Sequence, residues 1–525
     1  MVLMSTKYSF NLLDKPWLPC IDLNGQYKQY SISYCLFNSQ KIKGITCRNP
    51  LIEISLYRLL LAILHRNFGP KDADVWEDLY KNGWDNDVLK AYFKRWHDKF
   101  DLFGQDEDRF YQILPSEVKK DTPLSKLDNS ISTGNNTALF DHHWDKHPES
   151  YKPGKCAQLL ITFQNYAVSG GRSTPFYYSH APLVAGISTI MKCENLFKTL
   201  IFNLIAYNEN SPFKKNPSSE DIPFWERNER KLFEEKAGRY PNGYLDYLTW
   251  HSRRVWLQPY EDEGNLRVKY CKIAQGEKIR GDWHEAPEKT YMQKDGEYNA
   301  LSLSIHRQVW RDTESILRVS GEKLSTKPPK VLEWISKLVF LKKLTFSSKY
   351  NLEIYGLCQD PTKVAKTLTW HHSHLPISQE ILQHKRNKIL VNILKDFIAK
   401  SEEIHKIGNK FLYRYLKDYL YPKSDSLSSQ QRDNLLSQRN SFQYSEKFWS
   451  QLENRFYEFL VELPEKKGLA ELSVFLRTSI EENVLPIAES LMNHLESDLL
   501  YDSRSLRAWI SQKGFLYKLR KLFEN

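Results

Sequence analysis

The chain has 525 residues, of which 41% are hydrophobic, with 21 glycines and 23 prolines. This composition is typical of a folded protein of about two to four domains, and it excludes a collagen-like or largely disordered chain. Lysine and arginine number 75 against 64 aspartates and glutamates, so the net charge of +11 favours a polyanionic partner or an acidic protein surface.

The 7 cysteines are scattered, and no two of them form a Cys-x-x-Cys pair. This spacing excludes a zinc ribbon or redox motif of that type and suits reduced, buried thiols. The first residues lack the charged and apolar regions of a secretory signal, and no window has the unbroken apolar length of a membrane span. We therefore expect a cytoplasmic protein with no membrane partner.

The N-terminal part predicts a small sheet followed by helices. Short apolar runs alternate with turn residues over 8–47, where the Asn-Gly step at 24–25 predicts a hairpin. The stretch from Ile52 to Leu64 is apolar on nearly every side and predicts a buried helix. Arg58 within it is interpreted as a core arginine with satisfied partners. The helical pattern continues to Trp96.

Loops dominate between Asp121 and Lys155, and long loops in compact domains are usually functional or disordered. Apolar residues from Ala157 to Ala167 then have helical spacing. A glycine-rich step follows this helix: Ser169, Gly170, Gly171, Arg172 and Ser173. Adjacent glycines let the backbone approach a ligand, and amides beside an arginine offer donors, as in a phosphate or nucleic-acid contact. An ordinary turn after a helix is the plain alternative.

The following segments are mainly extended. Residues from Thr249 to Lys272 have basic side chains interleaved with aromatic ones. An Asp-Gly turn within 292–298 predicts a hairpin finger that presents Lys294 near its tip. The stretch from Leu352 to Leu357 predicts a short strand, and the Asp-Pro step that follows predicts a turn.

Helical periodicity prevails after Ser378. It covers Ile381–Ile407, Phe411–Leu420, Phe448–Leu463 and Leu469–Leu522, and the longest polar break runs from Pro422 to Tyr444. This pattern is typical of an antiparallel helical bundle. We therefore predict an α+β protein, with a large mixed domain of small sheets and helices over 1–375 and a four-helix bundle over 376–525.

Several motifs, in order along the chain, resemble one family. They are Phe10-Asn11-Leu12-Leu13-Asp14-Lys15-Pro16-Trp17-Leu18-Pro19, Arg58 to Arg66, Gly69-Pro70, Trp76, Phe110-Tyr111-Gln112, Gly134-Asn135-Asn136, Leu139 to His142, Ser169-Gly170-Gly171, Tyr247 to Trp250 and Trp310-Arg311-Asp312. Together they are similar to the large subunit of the type I-E CRISPR Cascade surveillance complex, the CasA family. Each motif is short, but their order and the chain length make the resemblance specific.

The resemblance implies a non-catalytic subunit without a cofactor. Such a subunit recognises the PAM in double-stranded target DNA through the minor groove, promotes duplex opening and R-loop formation, and docks the recruited helicase-nuclease. Its other implied partners are the 5′ handle of the guide CRISPR RNA and the backbone, small and guide-capping subunits of Cascade. Because guide pairing reads the target sequence, the protein itself reads only a short motif and the nucleic-acid backbone.

Carried over to this sequence, the family's functional segments are as follows. The glycine loop is Ser169, Gly170, Gly171, Arg172 and Ser173; the lysine finger is Lys294, with Lys289 as the fallback; the wedge is Gln359, Asp360, Pro361, Thr362 and Lys363; and the guide-RNA or subunit contact comprises Asn135, Asn136, Phe140 and His142. At the wedge tip this chain departs from the family, since Pro361 stands where many members have glutamine. Apolar side chains do unstack base steps, so a proline wedge is physically reasonable, whereas glutamine-mediated reading is in doubt.

Two other classes of function remain open. Histidine clusters at His142, His143 and His147 and at His371, His372 and His374 suggest a metal-dependent nuclease. The abundant aromatics, 14 Trp, 30 Tyr and 26 Phe, also suit a generic single-stranded nucleic-acid-binding protein. No Walker-type phosphate loop or nucleophile elbow occurs, so we predict no enzyme activity.

Overall fold

The structure is a computed structural model. It describes residues 8–106, 108–128, 148–170, 173, 177–208, 213–214, 219–227, 237–319, 325–345, 350–360, 363–422, 426–497 and 517. The chain separates into two compact units, the first comprising Met1–Ile305 and Gly321–Leu375 and the second His306–Ser320 and Pro376–Asn525. The segment 306–320 thus groups with the C-terminal helices.

The described α-helices are α1 (Ile32–Phe37), α2 (Pro50–Phe68), α3 (Ala73–Asn82), α4 (Asn86–Trp96), α5 (Pro153–Tyr166), α6 (Leu196–Phe202), α7 (Tyr244–Leu248), α8 (Thr313–Leu317), α9 (Lys330–Phe340), α10 (Gln379–Leu382), α11 (His384–Leu420), α12 (Ser429–Ser441), α13 (Tyr444–Glu462), α14 (Leu469–Ser479) and α15 (Leu485–Ser497). Short 3₁₀ helices lie at Ser39–Lys41, His97–Phe100, Leu124–Leu127, Phe224–Glu226, Val309–Asp312 and Leu463–Glu465, and a π-helical turn, Ile480–Val484, joins α14 to α15. No described helix has both the length and the apolarity needed to cross a membrane.

The described strands are β1 (Leu18–Asp22), β2 (Tyr27–Tyr30), β3 (Ile42–Ile45), β4 (Thr122–Pro123), β5 (Ser188–Lys192), β6 (Tyr207–Asn208), β7 (Phe213–Lys214), β8 (Arg253–Asp262), β9 (Asn265–Gln275), β10 (Tyr291–Lys294), β11 (Glu297–Ala300), β12 (Thr326–Lys327), β13 (Tyr350–Asp360) and β14 (Lys363–Ile377). They form small sheets in the orders β2-β1-β3, β4-β9-β8, β14-β13-β5 and β11-β10-β12, and a parallel β6-β7 pair. These sheets, with helices packed against them, confirm the predicted α+β class.

Helix α2 lies in the core of the first unit. It begins with Pro50 at a position where a missing amide is harmless, and the Asn49 side chain caps its first turn by accepting from the Leu51 amide at 2.9 Å. Arg58 is buried within it, forms an ion pair with Glu288 and donates to the Tyr247 carbonyl at 3.0 Å. The prediction of a buried helix is therefore confirmed, and its arginine is a core residue with an ion-pair partner, although its buried Nε has no hydrogen-bond partner among the described residues.

The predicted hairpins are present. The Asn-Gly turn joins β1 to β2, which pair from Leu18↔Tyr30 to Ile21↔Tyr27. The extended stretch after Thr249 is two strands, β8 and β9, because Glu263 and Gly264 both have positive φ and reverse the chain. The strand predicted at 352–357 is longer than expected, since β13 and β14 form a hairpin whose strands have 11 and 15 residues.

The helical unit differs from its prediction in two places. Helix α11 runs unbroken through 408–410, the gap between the predicted segments Ile381–Ile407 and Phe411–Leu420. A Cβ at Gly408 would overlap the Tyr444 side chain, so this glycine permits close packing within the unit. Helix α12 occupies the predicted break from Pro422 to Tyr444. It was missed because Leu435 is its only buried residue, and a capping box starts it instead of an apolar face.

Candidate nucleic-acid interface

The predicted glycine loop follows α5 directly and is closed by hydrogen bonds across it. The Ser169 amide donates to Nδ1 of His180 at 3.0 Å, and the Gly170 amide donates to the Tyr178 carbonyl at 3.3 Å. Gly170 is exposed and has a φ of 112°, a conformation that residues with a Cβ rarely adopt. The loop therefore presents bare backbone at Gly170.

Arg253, the first residue of β8, joins both sides of this loop. Its guanidinium donates to the carbonyls of Val168 at 2.9 Å and Ser179 at 2.6 Å, which lie before and after Gly170. A third bond goes to the Ser252 carbonyl at 2.8 Å. Arg253 is 1% exposed, and burial lowers the pKa of its guanidinium to about 9, so the group is still charged at neutral pH. The loop is thus held by a buried cation.

In the sequence Arg253 is one of several basic residues of an extended stretch, and its role in holding the loop was not predicted. The alternation of residues along β8 could have indicated that the side chain at this position is buried. Val255 and Leu257 are buried and share a face with Arg253, because alternate residues of a strand lie on the same side.

The end of β9 supports the loop from a second strand. The Gln275 amide donates to Oγ of Ser173 at 2.8 Å, and the Gln275 side-chain oxygen accepts from the Ser179 amide at 2.9 Å. Gln275 is itself buried. Residues on both limbs of the loop are therefore attached to one strand end.

His180 acts as a neutral acceptor in this arrangement. Burial, together with the nearby charges of Arg253 and Lys289, lowers the pKa of its imidazole to about 4. At neutral pH the ring is therefore uncharged, which suits its acceptance of the Ser169 amide hydrogen.

Lys289, the fallback for the lysine finger, is buried rather than presented to a ligand. Its ammonium donates to the carbonyls of Pro182 and Ala185, each at 2.6 Å. Burial lowers its pKa to about 8. The side chain fastens the segment between the glycine loop and β5, so Lys294 is the better placed of the two predicted lysines.

Lys294 lies at the exposed tip of the β10–β11 hairpin. It pairs with Glu297, and the turn residues Asp295 and Gly296 have φ values of 53° and 86°, as a tight two-residue hairpin turn requires. The base of the hairpin, at Tyr291, is buried. At about 3.3 Å per residue the lysine backbone stands about 10 Å from this base. The predicted finger is therefore a hairpin with a fixed turn.

The predicted wedge is the end of the β13–β14 hairpin. Tyr355 pairs with Ser188 of β5, and β13 then continues through 356–360, a length of about 16 Å. Gln359 is half-buried near the end of β13. Asp360 is the last residue of β13, and Lys363 is the first residue of β14.

The three segments share one junction in the first unit. The Ile187 amide, between the glycine loop and β5, donates at 2.8 Å to the carbonyl of Leu301, which follows the lysine hairpin. Gly356 of β13 packs directly against the side chain of Leu303, and the Cys358 thiol donates to the Leu303 carbonyl at 3.8 Å. Segments that are distant in sequence therefore meet at the same place.

Several predicted residues lie outside the described residues. They are Asn135, Asn136, Phe140 and His142 of the guide-RNA contact, Gly171 and Arg172 of the glycine loop, Pro361 and Thr362 of the wedge, and the histidine cluster at 142–147.

The second histidine cluster lies on β14, and two of its members, His371 and His372, have separate partners. Nε2 of His371 lies 2.9 Å from the Ser373 hydroxyl, whereas His372 lies 2.6 Å from a Glu353 oxygen and stacks on Tyr355. Neighbouring residues of a strand point to opposite faces, which separates the two rings. Within the described ranges, no group of three His, Cys, Asp or Glu side chains is arranged to hold a metal ion.

Comparison with known proteins identifies the family. The profile of the family described as CRISPR-associated protein Cse1 matches residues 11–485. The chain belongs to the Cse1 family. This membership confirms the resemblance to CasA, the large subunit of a CRISPR surveillance complex. A curated CasA/Cse1 protein of Thermus thermophilus is 27% identical to this Cse1-family chain over 477 residues, covering 89% of the chain and 90% of the relative.

Solved structures share the fold of this Cse1-family chain. The crystal structure of Thermus thermophilus CasA has a TM-score of 0.80 at 23% identity, covering 98% of this chain and 99% of that one. A chain of a CRISPR RNA-guided surveillance complex has a TM-score of 0.69 at 17% identity, covering 95% and 99%. The aligned residues in these structures cover nearly the whole of this chain, including residues of both units.

Proposed function

We propose that this chain is the non-catalytic PAM-reading subunit of a Cascade complex. In this proposal the glycine loop, Lys294 and the β13–β14 hairpin engage double-stranded target DNA from the minor groove, and the hairpin end enters the duplex to promote R-loop formation. The observation that carries the proposal is their common junction, since three separate contacts to a few base pairs must start close together.

The chemistry of each segment suits its proposed partner. Exposed backbone at Gly170 allows close approach to base edges, because no side chain intervenes. Lys294 supplies a cation on a fixed turn. The minor groove distinguishes A·T from G·C but little else, so the expected reading is tolerant of sequence.

Family membership supports the proposals for the remaining partners. We propose that Asn135, Asn136, Phe140 and His142 contact the 5′ handle of the guide RNA or a neighbouring subunit. We also propose that a recruited helicase-nuclease docks on this chain and performs the cleavage. The solved relative with a TM-score of 0.69 belongs to an RNA-guided surveillance complex, which supports assembly with guide RNA and other Cascade subunits.

The glycine loop can be tested with a matched pair of substitutions. Gly170→Val is expected to weaken binding of the assembled complex to PAM-containing duplex by about tenfold or more, because a branched side chain blocks close approach and opposes the φ of 112°. Gly264→Val is the control. Gly264 also has a positive φ, 75°, but it occupies the open β8–β9 turn.

Assembly is checked by size-exclusion chromatography, and affinity by electrophoretic mobility shift. Equal affinities for the two variants would refute the glycine-loop assignment. Metal-dependent cleavage by the purified chain would instead favour a nuclease, and equal affinity for single strands and for duplexes with or without the PAM would favour a generic binder.

A further inference from the structure

A second concave surface lies in the first unit, apart from the junction described above. It is a cavity of about 920 Å³, within the range of about 300–1,000 Å³ that is typical of ligand pockets. Its walls come from β1 and β2, from the starts of α2, α5 and β9, and from Trp370 of β14. None of the described PAM-reading residues lines it.

The charges lining this cavity are all of one sign. Arg48, Lys152, Lys155 and Arg267 line it, and no described lining residue is acidic. Lys155 lies 3.8 Å from Asp128, whereas the other three cations have no ion-pair partner in the part of the chain that the structure describes. Like charges held in a cleft repel one another and attract an anion. The cavity is therefore electrostatically suited to a phosphate.

Two backbone hydrogen bonds hold two of these cationic residues side by side. The Tyr151 amide donates to the Val268 carbonyl at 2.8 Å, and the Val268 amide donates back at 3.0 Å. Lys152 and Arg267 are the immediate neighbours of this pair. Their backbones are therefore fixed next to each other at the edge of the cavity.

Two helices begin at the same cavity. Helix α5 starts with Pro153, and no side chain caps its first turn, so the amides of Gly154 and Lys155 have no intrahelical acceptor. Helix α2 has 19 residues and starts after Asn49, which also lines the cavity. The positive ends of both helix dipoles add to the potential of the side chains.

Exposed aromatic rings complete the lining. Tyr27 is 61% exposed and Trp370 is 39% exposed, although both are large rings with apolar faces. Rings beside a group of cations form the usual surface for an unpaired base, which stacks while its phosphate is neutralised. An acidic peptide would satisfy the charges but would not need the rings.

We propose that this cavity binds a single-stranded nucleic acid, with a phosphate among Arg48, Lys152 and Arg267 and a base stacked on Tyr27 or Trp370. RNA and single-stranded DNA share this chemistry, so either the guide or a displaced DNA strand supplies the ligand. The inference does not depend on the minor-groove assignment, because the two sites share no described residue.

The contribution of the cations is tested by measuring how the full-length chain binds fluorescently labelled 12-nucleotide oligo-U RNA and oligo-dT DNA. Binding is measured by fluorescence anisotropy at several salt concentrations. The Arg48→Ala/Arg267→Ala double variant is expected to lose about tenfold or more in affinity, with a salt slope shallower by about 0.7 per lost phosphate contact. The matched control is Arg95→Ala/Arg280→Ala, which removes the same charge from exposed positions outside the cavity and should lose less than about twofold.

The stacking contribution is tested in the same assay. Trp370→Ala or Tyr27→Ala should weaken binding by at least about fivefold, whereas Tyr27→Phe keeps the ring and should bind as the unmodified chain does. Preference for the RNA or the DNA probe identifies the source of the ligand.

Three results would overturn the proposal. Equal losses in the cavity and control double variants would indicate general surface charge. Unchanged binding in both aromatic-to-alanine variants, with polyglutamate displacing the oligonucleotide, would indicate an acidic protein segment. The absence of measurable binding by the unmodified chain at low salt would exclude the site.

Discussion

Replacing Arg253 by leucine should loosen the glycine loop without removing any side chain proposed to contact DNA. The substitution removes the donor for the carbonyls of Val168 and Ser179, whereas the Ser252 carbonyl keeps the Gly276 amide at 3.0 Å. A buried acceptor without a partner costs about 1–3 kcal/mol, so two of them give about 2–6 kcal/mol. We expect the lower end, about 2 kcal/mol, because both residues are half-buried and because burying the charge of Arg253 is itself costly.

The neighbouring Arg254 provides a control on the same strand. It donates to the Gln275 carbonyl at 2.9 Å and forms an ion pair with the partly exposed Glu117, so Arg254→Leu should cost about 1 kcal/mol. Stability is measured by urea denaturation, and loop opening by hydrogen exchange at Gly170 and Ala181, whose amides bond across the loop. A loss for Arg253→Leu no larger than that for Arg254→Leu would refute the anchoring role.

Two further predictions concern stability. His180 has a folded-state pKa of about 4 against an ordinary value of 6.5, so the unfolded chain binds more protons between these values and stability falls as the pH drops through this window. The urea midpoint of the His180→Asn variant should therefore fall less between pH 7 and pH 5 than that of the unmodified chain. An equal fall in both proteins would contradict the lowered pKa of His180. Gly408→Ala should destabilise the helical unit by about 1–3 kcal/mol in urea melts despite alanine's better helix propensity, because its Cβ would overlap the Tyr444 side chain. A stabilising effect would contradict that packing.

The hairpins and the long apolar helix could be predicted from short stretches of sequence, because the residues that cause them lie within those stretches. The Asp-Gly step alone requires the turn that carries Lys294, and the apolar run around Arg58 leaves no polar face for solvent. Helix α12 has the opposite character, since its hydrophobic pattern is reduced to Leu435. The gap predicted at 408–410 was wrong, because the Tyr444 side chain that packs against Gly408 of α11 lies on another helix.

Local sequence signals also predict only part of the candidate site. Motifs located its segments, but the roles of individual side chains depend on partners distant in sequence. Arg253 bonds to Val168 and Ser179, and Lys289 bonds to the carbonyls of Pro182 and Ala185, contacts that no spacing rule connects. A basic residue beside a glycine step can therefore support a loop from within or contact a ligand, and only the fold distinguishes these roles.

The central claim, that this chain reads the PAM from the minor groove, is tested most directly at Lys294. The affinity of the assembled complex carrying Lys294→Ala is measured on a panel of PAM duplexes at two salt concentrations. The account predicts a loss of about 1–3 kcal/mol on the preferred PAM and a smaller loss on disfavoured ones. A uniform loss across the panel with a shallower salt dependence would reduce Lys294 to a phosphate contact, and no loss on any duplex would contradict the assignment of the finger.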